Sequence, residues 1–335
     1  MPKTSKLISL ITGDWHLDSQ ARNKYRHTFV EQTLPEMIKD LHIHRLIILG
    51  DLCQDKDRHN AELVNRVVNQ ISKLSRLCQV IILQGNHDYI DPTNPFFAFL
   101  ARISDVMWIN KPTFIGSELF LPHTRDYQKD WNGVDFQRAI FRGSGFDRIF
   151  AHQTFAGANV GPRTLDGIPL SVFPEEVEVI SGDIHVPQKI ENLRYVGAPY
   201  TINFGDNYKP RVLVLRSDKI TTLPVPGPQK VIVEIDMSVQ PRIMPKLNRG
   251  DMVKVRATLG KFENFQGAKK LIVNWAECNG YKLHSVQPIV DSKTRKHIHP
   301  DSGLSLVKSD ADQVRSYASK IGVSDEVLAS GLTFI

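Results

Sequence analysis

The chain alternates two kinds of segment. Short, wholly apolar runs, "KLISLIT", "RLIIL" and "QVIIL", are separated by stretches whose apolar positions recur at helical spacing, around Tyr25 to Asp40 and around Asn60 to Leu77. Apolar runs without polar alternation predict strands buried on both faces, and their alternation with helices predicts βαβ units layered under helices. Later runs, "LRYVG", "RVLVL" and "KITTL", are short and closely spaced, which predicts a more antiparallel region. In "LPVPGPQK" the prolines from Pro224 to Pro228 forbid helix and interrupt strand pairing, so a boundary is expected there. Beyond it, "DMVKVRATL", "FQGAKKLIVNWAECNG" and "YKLHSVQPIV" read as strand, helix and strand, with Gly280 stopping the helix. After Asp301 two capped helices are expected. Ser309 caps the first, with Asp312 three residues on, an apolar face of Val314, Tyr317, Ala318 and Ile321, and Gly322 as its stop; Ser324 and Gly331 bound the second. The expected fold class is α/β shading into α+β: a layered core over 1–224, a small α+β domain over 225–300 and a linker with a helical tail over 301–335.

Composition changes this picture little. A chain of 335 residues with 41% hydrophobic and 23% charged side chains is long enough for a sizeable core and an appendage. No apolar run approaches the length of a membrane span and no signal pattern opens the chain, so a cytoplasmic site is expected, the host's if the chain is phage-encoded. Three cysteines without C-x-x-C spacing indicate neither a disulfide framework nor a cysteine zinc site. The net charge of +6 is concentrated: residues 225–300 hold thirteen Lys or Arg against six acids, which favours a polyanionic partner for that segment.

The ends of the apolar runs carry the chemistry. "KLISLIT" ends in Gly13-Asp14-Trp15-His16, "RLIIL" in Gly50-Asp51, "QVIILQ" in Gly85-Asn86-His87-Asp88, "DRIFA" in His152, and "VEVIS" in Gly182-Asp183-Ile184-His185. C-terminal strand ends in α/β sheets share one rim, so residues distant in sequence can meet there. Imidazole, carboxylate and amide oxygen without thiolate suit manganese, iron or zinc, with magnesium also admissible. The ligands suffice for two ions, and Asp51, central in the order, is the candidate for the shared one. Such a pair would make water a nucleophile at neutral pH and hold both the entering and the leaving oxygen of a displacement at phosphorus.

These motifs, in order and approximate spacing, resemble those of the calcineurin-like metallophosphoesterase superfamily. "GDIHVPQ" followed by "YVGAPYTINFGD" resembles more narrowly the SbcD family of nucleases, homologous to the eukaryotic meiotic recombination eleven nuclease, and the short chain is similar to its phage members. The resemblance implies a layered β-sandwich core flanked by helices. It implies one metal on Asp14, His16 and His185, a second on Asn86, His152 and Asp183, and Asp51 between them. His87 would protonate the leaving oxygen or stabilise the transition state, with Asp88 orienting its ring. The implied cofactor is a pair of divalent ions, manganese first and magnesium second. The implied activity is 3′ to 5′ exonuclease and single-strand endonuclease action in recombination and break processing.

Two positions depart from the family pattern. Asp183 stands where a histidine is usual and adds negative charge, which favours a harder ion. Gln54 stands where many members carry a histidine near the substrate phosphate. The remaining histidines, His27, His42, His44, His59, His123 and His284, have no companion ligands in the sequence and are read as structural, and His297 and His299 as a solvated basic loop. A phosphatase or phosphodiesterase for a small or protein-borne phosphate, and a non-catalytic DNA-end scaffold, are the competing functions.

The resemblance also implies partners: DNA ends and single strands, a second copy of the chain, and an SbcC-type ABC ATPase with a coiled coil gripped by the C-terminal helices. The chain has no G-x-x-x-x-G-K-[ST] loop of its own. Deletion from Ser309 onward is expected to abolish capture of that ATPase in a pull-down while metal-dependent cleavage of single-stranded DNA persists.

Overall fold

The apolar runs of the first third become strands buried on both faces. The computed structural model describes residues 7–136, 147–217, 219–239, 242–259 and 264–289. The helices expected between Ser309 and Gly331, and His297 and His299, lie outside the described residues. In chain order come β1 (Ile8–Thr12), β2 (Arg45–Ile48), β3 (Gln79–Leu83) and β4 (Val106–Ile109). A second series comprises β5 (Thr113–Ile115), β6 (Glu118–Leu121), β7 (Arg148–His152), a small hairpin of β8 (Asn159–Val160) and β9 (Arg163–Thr164), β10 (Glu178–Gly182), β11 (Gln188–Ile190) and β12 (Leu193–Tyr195). The chain continues through β13 (Arg211–Arg216) and β14 (Lys219–Pro224) into β15 (Lys230–Asp236), β16 (Met252–Thr258) and β17 (Lys282–Ile289).

Two six-stranded sheets result, ordered β14-β13-β1-β2-β3-β4 and β11-β12-β10-β7-β6-β5. They pack face to face. Ile11, Ile47, Leu49, Ile81, Leu83, Phe120, Phe150 and Ile180 fill the space between them, with the Phe120 and Phe150 rings stacked at 4.9 Å. The alternate residues Leu10, Leu46, Ile48, Val80 and Ile82 face outward under helices. Both faces of β2 and β3 are therefore apolar, which is why their sequence shows no alternation. The outer cover is α1 (Lys24–Thr28), α2 (Leu34–Asp40) and α3 (Ala61–Ser75), the last capped by Asn60, whose side chain accepts from the Leu63 amide at 2.8 Å. A short helix, α4 (Tyr127–Asp130), follows β6.

Two local expectations are corrected. The helical stretch from Tyr25 to Asp40 is interrupted by a π-helical turn at Phe29–Thr33. Pro35, at the start of α2, has no N–H to give the carbonyl four residues back and its ring crowds that carbonyl, so the hydrogen-bond register slips there. "LRYVG" is not simply antiparallel: β12 is antiparallel to β11 but parallel to β10. After β10 the chain runs out to the sheet edge as β11, turns back, and lays β12 into the gap between them.

Past Pro226 and Pro228 stands a separate three-stranded sheet, β15-β16-β17, all parallel, with α5 (Phe265–Asn279) crossing between β16 and β17. Pro224 itself ends β14, an edge strand, where its missing N–H costs no ladder bond to a further neighbour. Gly280 closes α5 at φ 70°, the left-handed conformation a side chain resists. Val233, Ile235, Val253, Val255, Ala257, Ile272 and Ala276 form this sheet's own core. Lys230 ties it to the large sandwich: its amide donates to Thr201 Oγ1 at 2.8 Å and its Nζ to the Ile202 carbonyl at 2.7 Å. Ile272→Ala removes a fully buried side chain from this core, and urea unfolding is expected to show a loss of about 3 kcal/mol.

Candidate metal centre

Sandwich topology brings strand ends from both sheets to one rim. β1, β2 and β3 run parallel in one sheet, and β7 and β10 run parallel in the other. Asp14 and His16 follow β1, Asp51 follows β2, Asn86 to Asp88 follow β3, His152 ends β7, and Asp183 and His185 follow β10. The turns after β1, β2 and β10 are bent. Among the described residues eight non-glycines have positive φ, and four of them are Asp14, His16, Asp51 and Asp183. Such backbone is held only where its surroundings over-determine it, and it aims these side chains inward.

Asp51 lies at the centre, buried, with its two carboxylate oxygens facing different groups. Oδ2 is 3.4 Å from His16 Nε2, and His16 Nε2 is 3.0 Å from His185 Nε2. Oδ1 is 3.4 Å from His152 Nε2, which is itself 3.0 Å from Asn86 Oδ1 and 3.8 Å from Asp183 Oδ1. The ligand atoms of Asp14, His16 and His185 lie within 4.8 Å of one another, as do those of Asp14, Asp51 and His152. All seven residues singled out as ligands in the sequence are thus brought together, in two groups with Asp51 between.

This arrangement fits divalent cations. Asp14 Oδ2 and His16 Nδ1 are buried polar atoms with no hydrogen-bond partner, and the Nε2 atoms of His16 and His185 point at one another. Burial, followed by His185 and His87, holds the His16 imidazole well below its usual range, and burial lowers His185 as well, so both rings are neutral. Neutral imidazoles with converging nitrogens, beside buried carboxylates, are a donor set that a cation satisfies and hydrogen bonds do not. The acids respond to the same crowding. Burial, with Asp51 and Asp183 adding their charge, pushes the Asp14 carboxyl up to about 8, outweighing His152. Burial also works to lower His152, yet Asp51, Asp14 and Asp183 together hold it up at about 9.

A further layer fixes these side chains. His152 Nδ1 donates to the Leu49 carbonyl, leaving Nε2 to face the centre. Asp183 amide donates to Asp14 Oδ1 at 3.0 Å, and Thr154 donates its hydroxyl to Asp183 Oδ2, so the aspartate at the departing position is tied down on two sides. Arg26 donates to the His16 carbonyl and stands 3.4 Å from Asp18 Oδ2. Gly50 and Gly85 leave room: a Cβ at Gly50, φ 86°, would fall 2.5 Å from His152 Nδ1, and one at Gly85 would collide with Asp51 Oδ1.

His87 and Asp88 part company. His87 sits beside the centre, its ring 4.7 Å from that of His16, and its amide donates to Asp51 Oδ1 at 2.8 Å. The expectation that Asp88 orients the His87 ring is corrected. Asp88 accepts from the amides of Asp51, Leu52 and Gly85 at 2.8, 2.9 and 2.7 Å, stapling the end of β2 to the end of β3. His87 Nδ1 instead donates to the Gln54 carbonyl at 2.6 Å, which leaves Nε2 free. The pattern His-Asp in sequence cannot distinguish these, because adjacent side chains on a turn diverge. Burial, then Asp51, raises the Asp88 carboxyl to about 6.

One histidine outside the ligand set stands near the centre. His123, read as structural, follows β6 and its ring lies 6.2 Å from that of His152. Its Nδ1 shares a hydrogen bond of 2.8 Å with the Tyr89 hydroxyl, and burial, with His152 next, pushes it down to about 4. In the sequence "ELFLPHT" is another apolar run ending in a histidine, but without a companion ligand. The other histidines set aside include His27, bonded to the Asp18 carbonyl and Gln70, and His44, whose Nδ1 accepts from the Ile8 amide.

The calcineurin-like phosphoesterase family model matches residues 9–194, more than half of the chain, and the chain belongs to that family of metal-dependent phosphoesterases. Over 204 residues it is 27% identical to a protein of Invertebrate iridescent virus 6 provisionally named phosphoesterase 244L, covering 56% of this chain and 68% of that one. The crystal structure of Pseudomonas putida nuclease MPE aligns over 64% of this chain and 87% of its own, at 14% identity and a TM-score of 0.32. No helix among the described residues is long and apolar enough to cross a membrane.

Because protons sit where cations bind, calorimetric titration with a divalent metal is expected to release protons and to tighten as pH rises toward 9, the value to which His152 is raised. Weaker binding at higher pH in that range would contradict the assignment. Gly85→Ala, by displacing Asp51 Oδ1, is expected to weaken the same titration at least tenfold.

Proposed function

We propose that this protein is a two-metal DNA nuclease subunit. The observation that carries the reading is the divided carboxylate of Asp51, one oxygen toward His16 and the other toward His152, which suits a bridging ligand. Asp14, His16 and His185 would hold one ion, and Asn86, His152 and Asp183 the other. The mixed nitrogen and oxygen donors, with a carboxylate where histidine is usual, favour manganese, with magnesium as substitute. When bound, such a pair activates water and neutralises charge on the phosphodiester.

The protein's own part in the reaction falls to His87. With its Nδ1 proton engaged by the Gln54 carbonyl, its Nε2 is left to act on the departing oxygen: in the imidazolium form, with both nitrogens protonated, it would pass its Nε2 proton to that oxygen or stabilise charge there, leaving the neutral Nδ1–H ring. Asp88 keeps the two loops in register and acts through them. Asn86 and His152 support each other across the second group.

A nucleic acid rather than a small phosphate is favoured by the excess of basic residues over 225–300 in the sequence, of which Lys230 and Lys282 line a cleft that Gln54 also borders. The narrower likeness to the SbcD family extends the proposal to 3′ to 5′ exonuclease and single-strand endonuclease action in recombination, repair and replication. The same likeness proposes an ATPase partner held by the tail, pairing with a second copy, and work in a cytoplasm. The division into a nuclease domain over 1–224, a DNA-capping domain over 225–300 and a partner-binding tail over 301–335 belongs to this proposal.

Labelled duplex and single-stranded DNA, incubated with manganese, magnesium or chelator, are expected to be cleaved with manganese and spared with chelator. Asp51→Ala should lose both cleavage and metal, whereas His87→Ala should keep metal, measured by elemental analysis, and lose cleavage by about a hundredfold or more.

A further inference from the structure

Between the large sandwich and the small sheet lies a cleft of about 470 Å³ that the reaction described above does not use. It is linked to the centre through Gln54, which lines it and whose carbonyl accepts from His87. Its size falls in the range of small-ligand sites, roughly 300–1,000 Å³. One wall is aromatic: the Phe204 ring lies 4.8 Å from that of His284, tilted by 35°, and His284 is exposed. The charge of the lining is one-sided, with Arg22, Arg26, Lys230 and Lys282 against Asp18. Asp18 is already engaged by Arg26, the Gln20 amide and Asn23. Burial, and then Arg26 and Arg22, push the Lys230 ammonium down to about 8, and an anion beside it favours its charged form.

We infer that this cleft is a subsite for one unpaired nucleotide of the DNA strand, its base against the Phe204–His284 wall and its phosphate among the cations. The inference rests on the nuclease reading. The reasons are chemical. An aromatic face beside concentrated positive charge takes bases of any sequence by stacking and the backbone by charge, whereas a small phosphate has no use for the wall. A base presents its face to such a wall only when it has left the duplex, so the occupant belongs to a single strand or an opened end. The two sides of the cleft come from different domains, Phe204 from the loop before β13 and His284 from β17, and the Lys230 bonds to Thr201 and Ile202 keep them apposed.

The test is a single-stranded oligonucleotide with an abasic residue placed in turn at each position flanking the cleaved bond. Wild-type protein with manganese is expected to show a KM about tenfold higher when the abasic residue falls in the subsite, and Phe204→Ala to lose that discrimination between base and no base. His284→Ala, an exposed substitution, is expected to reduce it as well and guards against a folding defect in the first variant. Cleavage by the wild type that ignores the abasic residue at every position, or discrimination that survives both substitutions, overturns the subsite. Turnover of bis(4-nitrophenyl) phosphate without any cleavage of DNA overturns the nuclease reading and the subsite together, a result distinct from either of those.

Discussion

Three carboxylates, Asp14, Asp51 and Asp183, are gathered where water is scarce, and the burial of their charge, with mutual repulsion added to it, is the constraint around which this rim is built. The first two are buried. Burial first, with neighbouring carboxylates adding to it, raises the carboxyls of Asp14 and Asp51 above their usual range. The fold answers with backbone amides: Asp183 donates to Asp14, His87 to Asp51, and three amides to Asp88 close by. These bonds leave some oxygens pointing inward, and those oxygens are the ones that matter for a cation. The strained backbone at Asp14, Asp51 and Asp183 is the conformational cost of that orientation.

Much of this was legible in the residues. The uniformly apolar runs marked strands covered on both sides, and their polar termini marked the rim, because side chains needed for chemistry interrupt an apolar pattern only where the strand ends. The seven ligand candidates are distant in sequence yet stand within one small volume, since parallel strands deliver their C-terminal ends to one side. Helix α5 and its glycine stop were likewise visible, because a C-terminal glycine stop is local chemistry.

What could not be read was direction. His87 and Asp88 are neighbours in sequence but face different ways, and only the folded turn shows the aspartate bonded to amides and the histidine to the Gln54 carbonyl. The nearness of His123 to His152 was not legible, because a lone histidine after an apolar run carries no companion until β6 is laid beside β7. The π turn before Pro35 escaped for the opposite reason: apolar periodicity survives a slip of one residue in hydrogen bonding. The parallel placement of β12 depends on which gap in the sheet remained open, a global property.

Each group around Asp51 is composite. Asp14 and His16 come from one sheet and His185 from the other; Asn86 comes from the first, and His152 and Asp183 from the second. Neither half of the sandwich carries a whole ligand set, so the centre exists only while the two sheets stay docked through the stacked Phe120 and Phe150 and their apolar neighbours. Rearranging the chain termini, or splitting the molecule into fragments, is therefore tolerable for the chemistry only at breakpoints that preserve that docking, however intact each sheet remains by itself.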